Sequence, residues 1–153
     1  MADDLVIRQA RPSEHAALEA LQWRASLIWE DDRPHLLAHP DAIELPMTQI
    51  LDGRAFVAER GGEIQGFCVV LRRTPVEAEL DGLFVEPCAM RAGLGARLVA
   101  QAEAFARSDG ALSLFVIASA NAEAFYRRCG FDPVGQAKTR FGWAPTMRKL
   151  LTR

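Results

Sequence analysis

The sequence predicts a mixed α/β domain in which helices alternate with strands on the C-terminal side of the chain. Two apolar runs on either side of Gly61-Gly62 indicate a β-hairpin, because paired glycines favour a tight turn. Apolar residues recur at helical spacing over residues 93–108. The apolar run over residues 112–118 is typical of a central strand that is covered on both faces. Together these patterns predict a sheet flanked by helices.

Length and composition predict that residues 1–153 form one globular domain. Half of the 153 residues are hydrophobic and a quarter are charged, which is enough for one well-buried core. The 18 Lys and Arg against 20 Asp and Glu give a net charge of -2, which disfavours a nucleic-acid partner. The sequence shows neither a signal peptide nor an apolar run of the roughly 20 residues that span a bilayer. We therefore expect a cytoplasmic protein with no membrane partner.

The cysteines and histidines predict neither a disulfide framework nor a metal site. The three cysteines form an odd set without a CxxC pair, which favours reduced thiols. His35 and His39 have the i, i+4 spacing of a helix, but no third ligand accompanies them. No bound metal is expected.

The N-terminal third of the chain predicts one strand and one long helix before an irregular region. Residues 5–7 are apolar, and the segment 5–8 is interpreted as the first strand. Ser13 is a candidate N-cap for a helix over residues 14–30. Three prolines interrupt residues 30–53, so we expect only a short helix near His35 and irregular connections. This irregular region is where we expect substrate specificity to be determined.

The hairpin and the strand after it form the predicted centre of the sheet. The hairpin strands are expected over residues 54–60 and 64–72. The next strand, over residues 76–85, has apolar residues at even positions up to Leu80 and at odd positions from Leu83 onward. A strand of period two changes phase only where a residue is inserted, so the pattern predicts a β-bulge near Asp81-Gly82.

The C-terminal half predicts two helices and three strands. Glycines at positions 110 and 130 are expected to end the helices. In chain order these elements are a helix over residues 93–108, a strand over 112–118, a helix over 121–129 and closing strands over 131–136 and 143–151.

The strongest local signal for chemistry is Gly93-Leu94-Gly95 between a strand and an amphipathic helix. Glycine lets the backbone approach a ligand closely, and the unpaired N–H groups of a helix start favour a phosphate group. Arg91 and Arg97 flank this segment and could add charge-assisted contacts. The GxGxxG pattern fails because Leu98 stands at its last position, and no GxxxxGK[ST] occurs, so NAD and ATP are disfavoured.

Two ordered motifs make the sequence resemble the GNAT superfamily of N-acetyltransferases, over roughly residues 54–131. The family's acetyl-CoA motif is Leu-x-Val-x-Pro followed by [Gln/Arg]-x-x-Gly-x-[Gly/Ala], and this chain has Leu83-Phe-Val85-Glu-Pro87-Cys-Ala-Met90-Arg-Ala-Gly93-Leu-Gly95. The family's second motif begins at Asn and ends in Phe-Tyr-x-x-x-Gly-Phe, and this chain has Asn121-Ala-Glu-Ala-Phe125-Tyr126-Arg-Arg-Cys-Gly130-Phe131. Two motifs in order are far more specific than either one alone.

The resemblance implies an α+β fold with a mixed, mostly antiparallel central sheet that is splayed at the bulge and flanked by helices. It also implies that acetyl-CoA is the cosubstrate and that its pantetheine arm pairs with the backbone of the bulged strand. The implied acetyl-CoA contacts are Leu83, Phe84 and Val85 on that strand, Met90, Arg91, Ala92, Gly93, Leu94, Gly95 and Ala96 in the phosphate loop, and Asn121 and Tyr126 in the second motif.

Acetyl transfer to an amine requires a neutral nucleophile, whereas an amine of pKa about 10.4 is almost wholly protonated at pH 7. A general base relieves this penalty, and Glu79 and Asp81 are the candidates because both lie on the strand that leads into the bulge. A solvated polar strand face is the alternative for both. The resemblance makes Tyr126 the general acid toward the departing sulfur, with core packing as its alternative. The oxyanion is expected at the N–H group of Phe84 or Val85.

The predicted function is direct transfer of the acetyl group of acetyl-CoA to a primary amine of a small molecule, peptide or protein. Met90 stands where the family usually has Gln or Arg, so one phosphate contact is missing, and Arg91 is expected to compensate. Because of Met90, a CoA-binding regulatory module of the same fold with little or no transferase activity is the second hypothesis. Dimers are common in proteins of this resemblance, so a homodimer is a candidate assembly, and the acceptor stays open.

Overall fold

The computed structural model describes residues 4–30, 32–90 and 92–151, and within them the chain forms a seven-stranded sheet and five α-helices. The strands are β1 (Leu5–Gln9), β2 (Ala55–Arg60), β3 (Glu63–Thr74), β4 (Glu77–Val85), β5 (Ser113–Ile117), β6 (Asp132–Thr139) and β7 (Gly142–Leu150). The helices are α1 (His15–Leu27), α2 (Arg33–Ala38), α3 (Met47–Leu51), α4 (Leu94–Ser108) and α5 (Glu123–Arg128). In that part of the chain no helix is both long and apolar enough to span a bilayer.

The strand order of the sheet is β1-β2-β3-β4-β5-β7-β6. β4 and β5 pair in parallel, whereas β1 with β2, β2 with β3, β5 with β7 and β6 with β7 pair antiparallel. Crossing from β4 to a parallel neighbour requires a long connection, which the intervening α4 supplies. The predicted α+β fold with a mostly antiparallel sheet is confirmed.

The chain divides into two compact units, each with its own buried side chains. The first unit runs as far as Val69 and also contains Gly82–Gln101; the second contains Val70–Asp81 and the chain from Ala102 onward. Fully buried side chains of the first unit include Leu18, Leu21, Val57, Phe67 and Leu98. Those of the second include Leu114, Phe131 and Met147.

The start of α1 differs from the sequence prediction. Ser13 lies inside a short 3-10 turn, Pro12–Glu14, and caps no helix. The carboxylate of Glu14 instead accepts a hydrogen bond from the N–H group of Arg11 at 2.8 Å, so the acidic side chain satisfies the orphan donor. The end of α1 also comes earlier than predicted, at Leu27, whose carbonyl accepts a hydrogen bond from Nε of Arg33 at 2.8 Å.

The irregular region contains the short helix predicted near His35, which is α2. It also contains α3, which has no recognisable pattern in the sequence because five residues are too few to show a helical period. Proline at position 46 immediately precedes α3, in keeping with the role of proline at helix starts.

The hairpin of β2 and β3 is confirmed, with Ala55 opposite Val69 and Arg60 opposite Glu63. Its turn places Gly61 at φ +60 and Gly62 at φ +83, a conformation that two-residue hairpin loops require and glycine adopts without strain.

β4 begins one residue later than predicted, because Val76 lies in the preceding turn and is 53% exposed. Its parallel ladder with β5 pairs Glu77–Glu79 with Ser113–Phe115, whereas β4 itself continues to Val85. The second half of β4 therefore extends past its ladder with β5. A strand that leaves its ladder in this way has backbone groups available for another partner.

The remaining elements match the predictions closely. α4 ends before Gly110, which has φ +89, and the residues of β5 up to Val116 are buried as expected of a central strand. The second predicted helix is shorter than expected: Asn121 lies in a 3-10 turn, Ala120–Ala122, and α5 ends before Gly130. β6 and β7 are the two predicted closing strands.

Gly66 in β3 lies against the backbone of β4 and under the first turns of α4. A Cβ atom at this position would lie 2.8 Å from the carbonyl oxygen of Phe84 and within 3.3 Å of Leu94 and Leu98. Both leucines are buried, so this contact is part of the core of the first unit. The missing side chain therefore allows β3, β4 and α4 to approach closely.

We expect Gly66→Ala to lower the free energy of unfolding by about 1–3 kcal/mol, because the new methyl group meets a backbone oxygen that cannot move alone. Urea denaturation measures this loss. Gly82→Ala is the matched control, since its Cβ would also meet an atom at 2.8 Å, but that atom is on the Phe84 ring, which can rotate. A loss for Gly82→Ala as large as that for Gly66→Ala would contradict the proposed role of the close approach.

Candidate functional site

At the end of β4, the backbone N–H and C=O groups of alternate residues point to opposite edges of the strand. The N–H group of Glu86 donates a hydrogen bond to the carbonyl of Gln65 in β3 at 2.8 Å. Successive residues of a strand direct their backbone N–H and C=O groups to opposite edges. The N–H and C=O groups of Leu83 and Val85 therefore point away from β3. The backbone groups of these two residues are thus directed as the predicted pairing with an extended ligand requires. Phe84 faces β3 with its peptide group, and its ring packs on Phe67 with 5.3 Å between centroids.

The start of α4 is the predicted phosphate loop, and its glycine is open. Gly93 has φ +78, and a Cβ at this position would meet no atom within 4 Å. The first intrahelical hydrogen bond runs from the N–H group of Arg97 to the carbonyl of Gly93 at 3.3 Å. The N–H groups of Leu94, Gly95 and Ala96 precede it, and among the described residues they donate to no helical carbonyl. This donor set fits a phosphate or pyrophosphate group.

The residues of this loop differ in their exposure to solvent. Leu94 is buried under the helix, whereas Ala92, Gly93 and Ala96 are exposed. Met90 is 38% exposed, and its thioether cannot donate a hydrogen bond to a phosphate. The predicted compensating contact of Arg91 lies outside the described residues.

An ion pair fixes the segment that connects β4 to the phosphate loop. Arg24 in α1 donates from Nε and Nη2 to the two carboxylate oxygens of Glu86 at 2.9 and 2.8 Å. This bidentate geometry is the strongest form of the Arg–carboxylate contact. The backbone N–H group of Glu86 also bonds to Gln65, so both the side chain and the backbone of this residue are bonded. The loop therefore starts from a defined position.

The first half of β4 carries a row of carboxylates, of which Glu77 is the innermost. The Glu77 carboxylate accepts hydrogen bonds from Arg73 at 2.7 Å, Ser113 at 2.6 Å and Arg148 at 2.6 Å. These contacts, the one from Arg148 first, lower the pKa of Glu77 to about 2 although burial opposes them. Glu77 therefore stays ionised and fully bonded at neutral pH, which makes it a poor proton acceptor.

Glu79 and Asp81 follow on the same face of β4, because side chains two residues apart point the same way. Glu79 is half-buried, and burial followed by repulsion from Asp81 raises its pKa above the ordinary value. Asp81 is exposed. A half-buried carboxylate with a raised pKa is a stronger proton acceptor than an ordinary exposed one, which makes Glu79 a candidate general base.

Two residues of the second motif differ in burial: Asn121 is exposed and Tyr126 is buried. Asn121 is exposed in the turn before α5. Tyr126 is 6% exposed, and its ring makes edge contacts with Phe125 and Phe131 at centroid distances of 5.1 and 5.4 Å. The ring is thus held by aromatic packing, which orients the phenol bond.

Two of the three cysteines have thiols whose pKa is raised by burial. Cys68 is completely buried, which raises its thiol pKa to about 12, and burial also raises the pKa of Cys129. Cys88 is an exposed free thiol. Among the residues that the structure describes, no three His, Cys, Asp or Glu side chains are grouped to hold a metal ion.

The chain belongs to the acetyltransferase (GNAT) family, whose profile matches residues 16–131. Solved structures with this fold include a GCN5-related N-acetyltransferase from Rhodopseudomonas palustris, with a TM-score of 0.77, 23% identity and coverage of 99% of both chains. Another is the PaiA N-acetyltransferase from Thermoplasma acidophilum in complex with coenzyme A, with a TM-score of 0.76, 17% identity and coverage of 98% of this chain and 99% of that one.

A third similar structure is the ribosomal-protein-S18-alanine N-acetyltransferase from Escherichia coli, with a TM-score of 0.70, 20% identity and coverage of 97% of this chain and 95% of that one. At these identities the likenesses show the fold. No curated protein is significantly similar to the chain in sequence.

Three features of the site region were not found from the sequence. Gly66 carries a usable signal, since a lone glycine inside an apolar strand indicates close backbone approach. The pairs Arg24 with Glu86 and Arg148 with Glu77 carry none, because their partners are 62 and 71 residues apart.

The low pKa of Glu77 predicts an acid-sensitive contribution to stability. Its ionised form is favoured by folding, so this contribution is complete above the ordinary pKa of 4.5 and is lost as pH falls towards about 2. We expect Glu77→Gln to lose on the order of 2–3 kcal/mol of unfolding free energy at pH 7 and to show a flatter pH dependence below pH 5. Chemical denaturation from pH 2.5 to 7 measures both effects. The exposed hairpin residue Glu63, changed to Gln, is the control, and identical pH profiles for both variants would refute the assignment.

Proposed function

We propose that this protein transfers the acetyl group of acetyl-CoA directly to a primary amine. The observation that carries the proposal is the end of β4 followed by the open start of α4, in a chain that belongs to the acetyltransferase (GNAT) family. Leu83 and Val85 direct peptide groups away from β3, and the N–H groups at the start of α4 suit a pyrophosphate. Structures of similar fold contain coenzyme A or acetyl-CoA, which supports the choice of cosubstrate.

In this proposal the phosphates of acetyl-CoA bind the N–H groups of Leu94, Gly95 and Ala96, with Gly93 providing open space above the helix start. Leu83 and Val85 bind the pantetheine arm through their backbone. The N–H group of Val85 is preferred to that of Phe84 as oxyanion donor, because the Phe84 peptide group faces β3. Asn121 contributes a side-chain contact to the cosubstrate.

The chemical step begins with the protonated amine that prevails at pH 7. Glu79 accepts a proton from this amine, either directly or through a water, and frees its lone pair. The lone pair attacks the acetyl carbonyl carbon, and the carbon–sulfur bond breaks as the oxyanion collapses. Tyr126 donates a proton toward the departing sulfur, which leaves as the thiol of CoA. The nitrogen loses its remaining extra proton to solvent water to give the amide, solvent reprotonates the Tyr126 phenolate, and Glu79 releases its proton to solvent.

The assignment of Glu79 as base rests on its raised pKa and on its position on β4. Glu77 is held ionised by Arg148, Ser113 and Arg73 and is therefore structural. Asp81 is exposed and acts on Glu79 by raising its pKa through repulsion.

Binding of acetyl-CoA is tested with two glycines of matched conformation. Gly93 at the start of α4 and Gly110 after its end both have positive φ, and a Cβ at either would meet no atom within 4 Å. Changing either glycine to Ala therefore adds the same kind of backbone strain, about 1–2 kcal/mol. Only Gly93→Ala is expected to weaken acetyl-CoA binding, by about tenfold.

Isothermal titration calorimetry gives the dissociation constants, and thermal denaturation with and without acetyl-CoA gives an independent reading. The proposal fails if the purified wild-type protein neither binds acetyl-CoA nor gains thermal stability from it. Equal affinity in the two variants would remove the start of α4 from the binding site.

The chemical step is tested with Glu79→Gln and Tyr126→Phe. We expect each to lower kcat by about 100-fold or more, because general acid and base catalysis contribute factors of this size. Tyr126→Phe should leave acetyl-CoA affinity and stability nearly unchanged, since the packing ring is retained. Glu79→Gln should also abolish the fall in rate at low pH, which occurs as wild-type Glu79 becomes protonated below its raised pKa.

Thiol release across pH 5–9 measures both variants, with Asp81→Asn as the control for charge on the same strand face. A larger loss in Asp81→Asn than in Glu79→Gln would transfer the role of base to Asp81. Acetyl-CoA binding without thiol release over a broad amine panel would instead favour a CoA-binding regulatory module, for which Met90 in the phosphate loop is the supporting observation.

A further inference from the structure

Two arginines lie beside the proposed base on one face of the second unit. Glu79 on β4 is opposite Phe115 on β5, and Phe115 is opposite Arg148 on β7. Residues directly opposite each other in a ladder project from the same face, so these three side chains form a row across the sheet. Arg73 of β3 joins the row, with its guanidinium 3.8 Å from the centre of the Phe115 ring.

The fold holds both guanidinium groups in place. Arg73 and Arg148 each bond to the buried carboxylate of Glu77, and the Arg148 guanidinium also lies 5.8 Å from the centre of the Phe115 ring. An arginine side chain that lies over an aromatic ring and bonds to a carboxylate has already lost most of its conformational freedom before a ligand binds. We call Arg73 and Arg148 the arginine pair.

The arginine pair has N–H donors that the fold does not use. One carboxylate, that of Glu77, accepts hydrogen bonds from both guanidinium groups. Within the described residues, Nε and Nη2 of Arg73 and Nη1 of Arg148 donate no hydrogen bond. The two side chains are 40% and 37% exposed, so these donors can reach solvent.

The charges on this face are separated along the sheet. Both guanidinium groups bond to Glu77 at the start of β4, whereas the carboxylates of Glu79 and Asp81 lie farther along the strand. Asp132 on β6 is opposite Arg148 in the ladder, but within the described residues Arg148 bonds only to Glu77. A ligand with a cationic amine and a separate anionic group matches this division, with the amine toward the carboxylates and the anion toward the guanidinium groups.

We infer that the arginine pair is a carboxylate-binding subsite and that the acceptor is a primary amine that also carries a carboxylate, as amino acids do. The inference rests on the proposed transfer to a primary amine. Arg73 and Arg148 are then specificity residues that bind the acceptor, while Glu79 acts on its amine. The alternative is that the arginines only neutralise Glu77. In that case a carboxylate on the acceptor does not change kcat/KM.

The test compares matched acceptors that differ only in the carboxylate. The panel consists of the L-amino acids, β-alanine and γ-aminobutyrate, each beside its amide, with spermidine as a purely cationic amine. Thiol release from acetyl-CoA gives kcat and KM for each compound. The wild-type protein is expected to prefer the carboxylate member of at least one pair by about 10- to 100-fold in kcat/KM.

Arg73→Gln and Arg148→Gln should remove this preference, mainly through a higher KM for the carboxylate member. Arg72→Gln is the matched control, because Arg72 is the neighbouring residue of β3 and also bonds a carboxylate, that of Asp109 at 2.8 Å. Arg73→Lys and Arg148→Lys, which keep the charge, should retain part of the preference. Thermal denaturation of every variant shows whether it is folded at the assay temperature.

The outcomes separate the two proposals. Turnover with no preference for the carboxylate member, or with preference for spermidine, overturns the subsite and leaves the proposed function standing. If no amine is acetylated, calorimetric binding of the same pairs in the presence of CoA decides: preference for the carboxylate member that is lost in Arg73→Gln and Arg148→Gln supports the subsite although the transferase proposal fails. Equal binding of acid and amide overturns the subsite as well.

Discussion

A single buried carboxylate, that of Glu77, connects four strands of the sheet. It lies on β4 and bonds to Arg73 on β3, Ser113 on β5 and Arg148 on β7. Burying a carboxylate is costly unless charge and hydrogen bonds compensate it, and here both are supplied. The same contacts keep Glu77 ionised. The next carboxylate along the strand, Glu79, has a raised pKa because of burial first and repulsion from Asp81 second.

The first unit depends on a different constraint, the close approach of backbones at Gly66. With no side chain there, β3 meets the backbone of β4 at Phe84, and the buried leucines of α4 pack over it. That contact packs the first turns of α4 against β3, and the bidentate pair of Arg24 with Glu86 connects α1 to the segment just before the phosphate loop. Rigid support around a loop with open N–H groups is what anion binding through backbone requires.

Most elements of the fold were predictable because their signals are local. The Gly61-Gly62 turn, the helical period of α4 and the apolar run of β5 each lie within one short segment, and all three are confirmed. The errors also have local causes. Ser13 was expected to cap α1, but the carboxylate of Glu14 bonds to the N–H group of Arg11 and a 3-10 turn forms first. The five residues of α3 are too few to show a period.

The sequence by itself determined the order of the elements, the two motifs that indicate the family, and the set of residues from which the catalytic groups are proposed. Only the tertiary structure decided which carboxylate of β4 is structural and which is available. Glu77 and Glu79 lie two residues apart on the same face of the strand. The pKa of Glu77 is lowered by Arg148, Ser113 and Arg73 from other strands, whereas burial raises that of Glu79. Electrostatic interactions depend on distance in space, which a linear pattern does not contain.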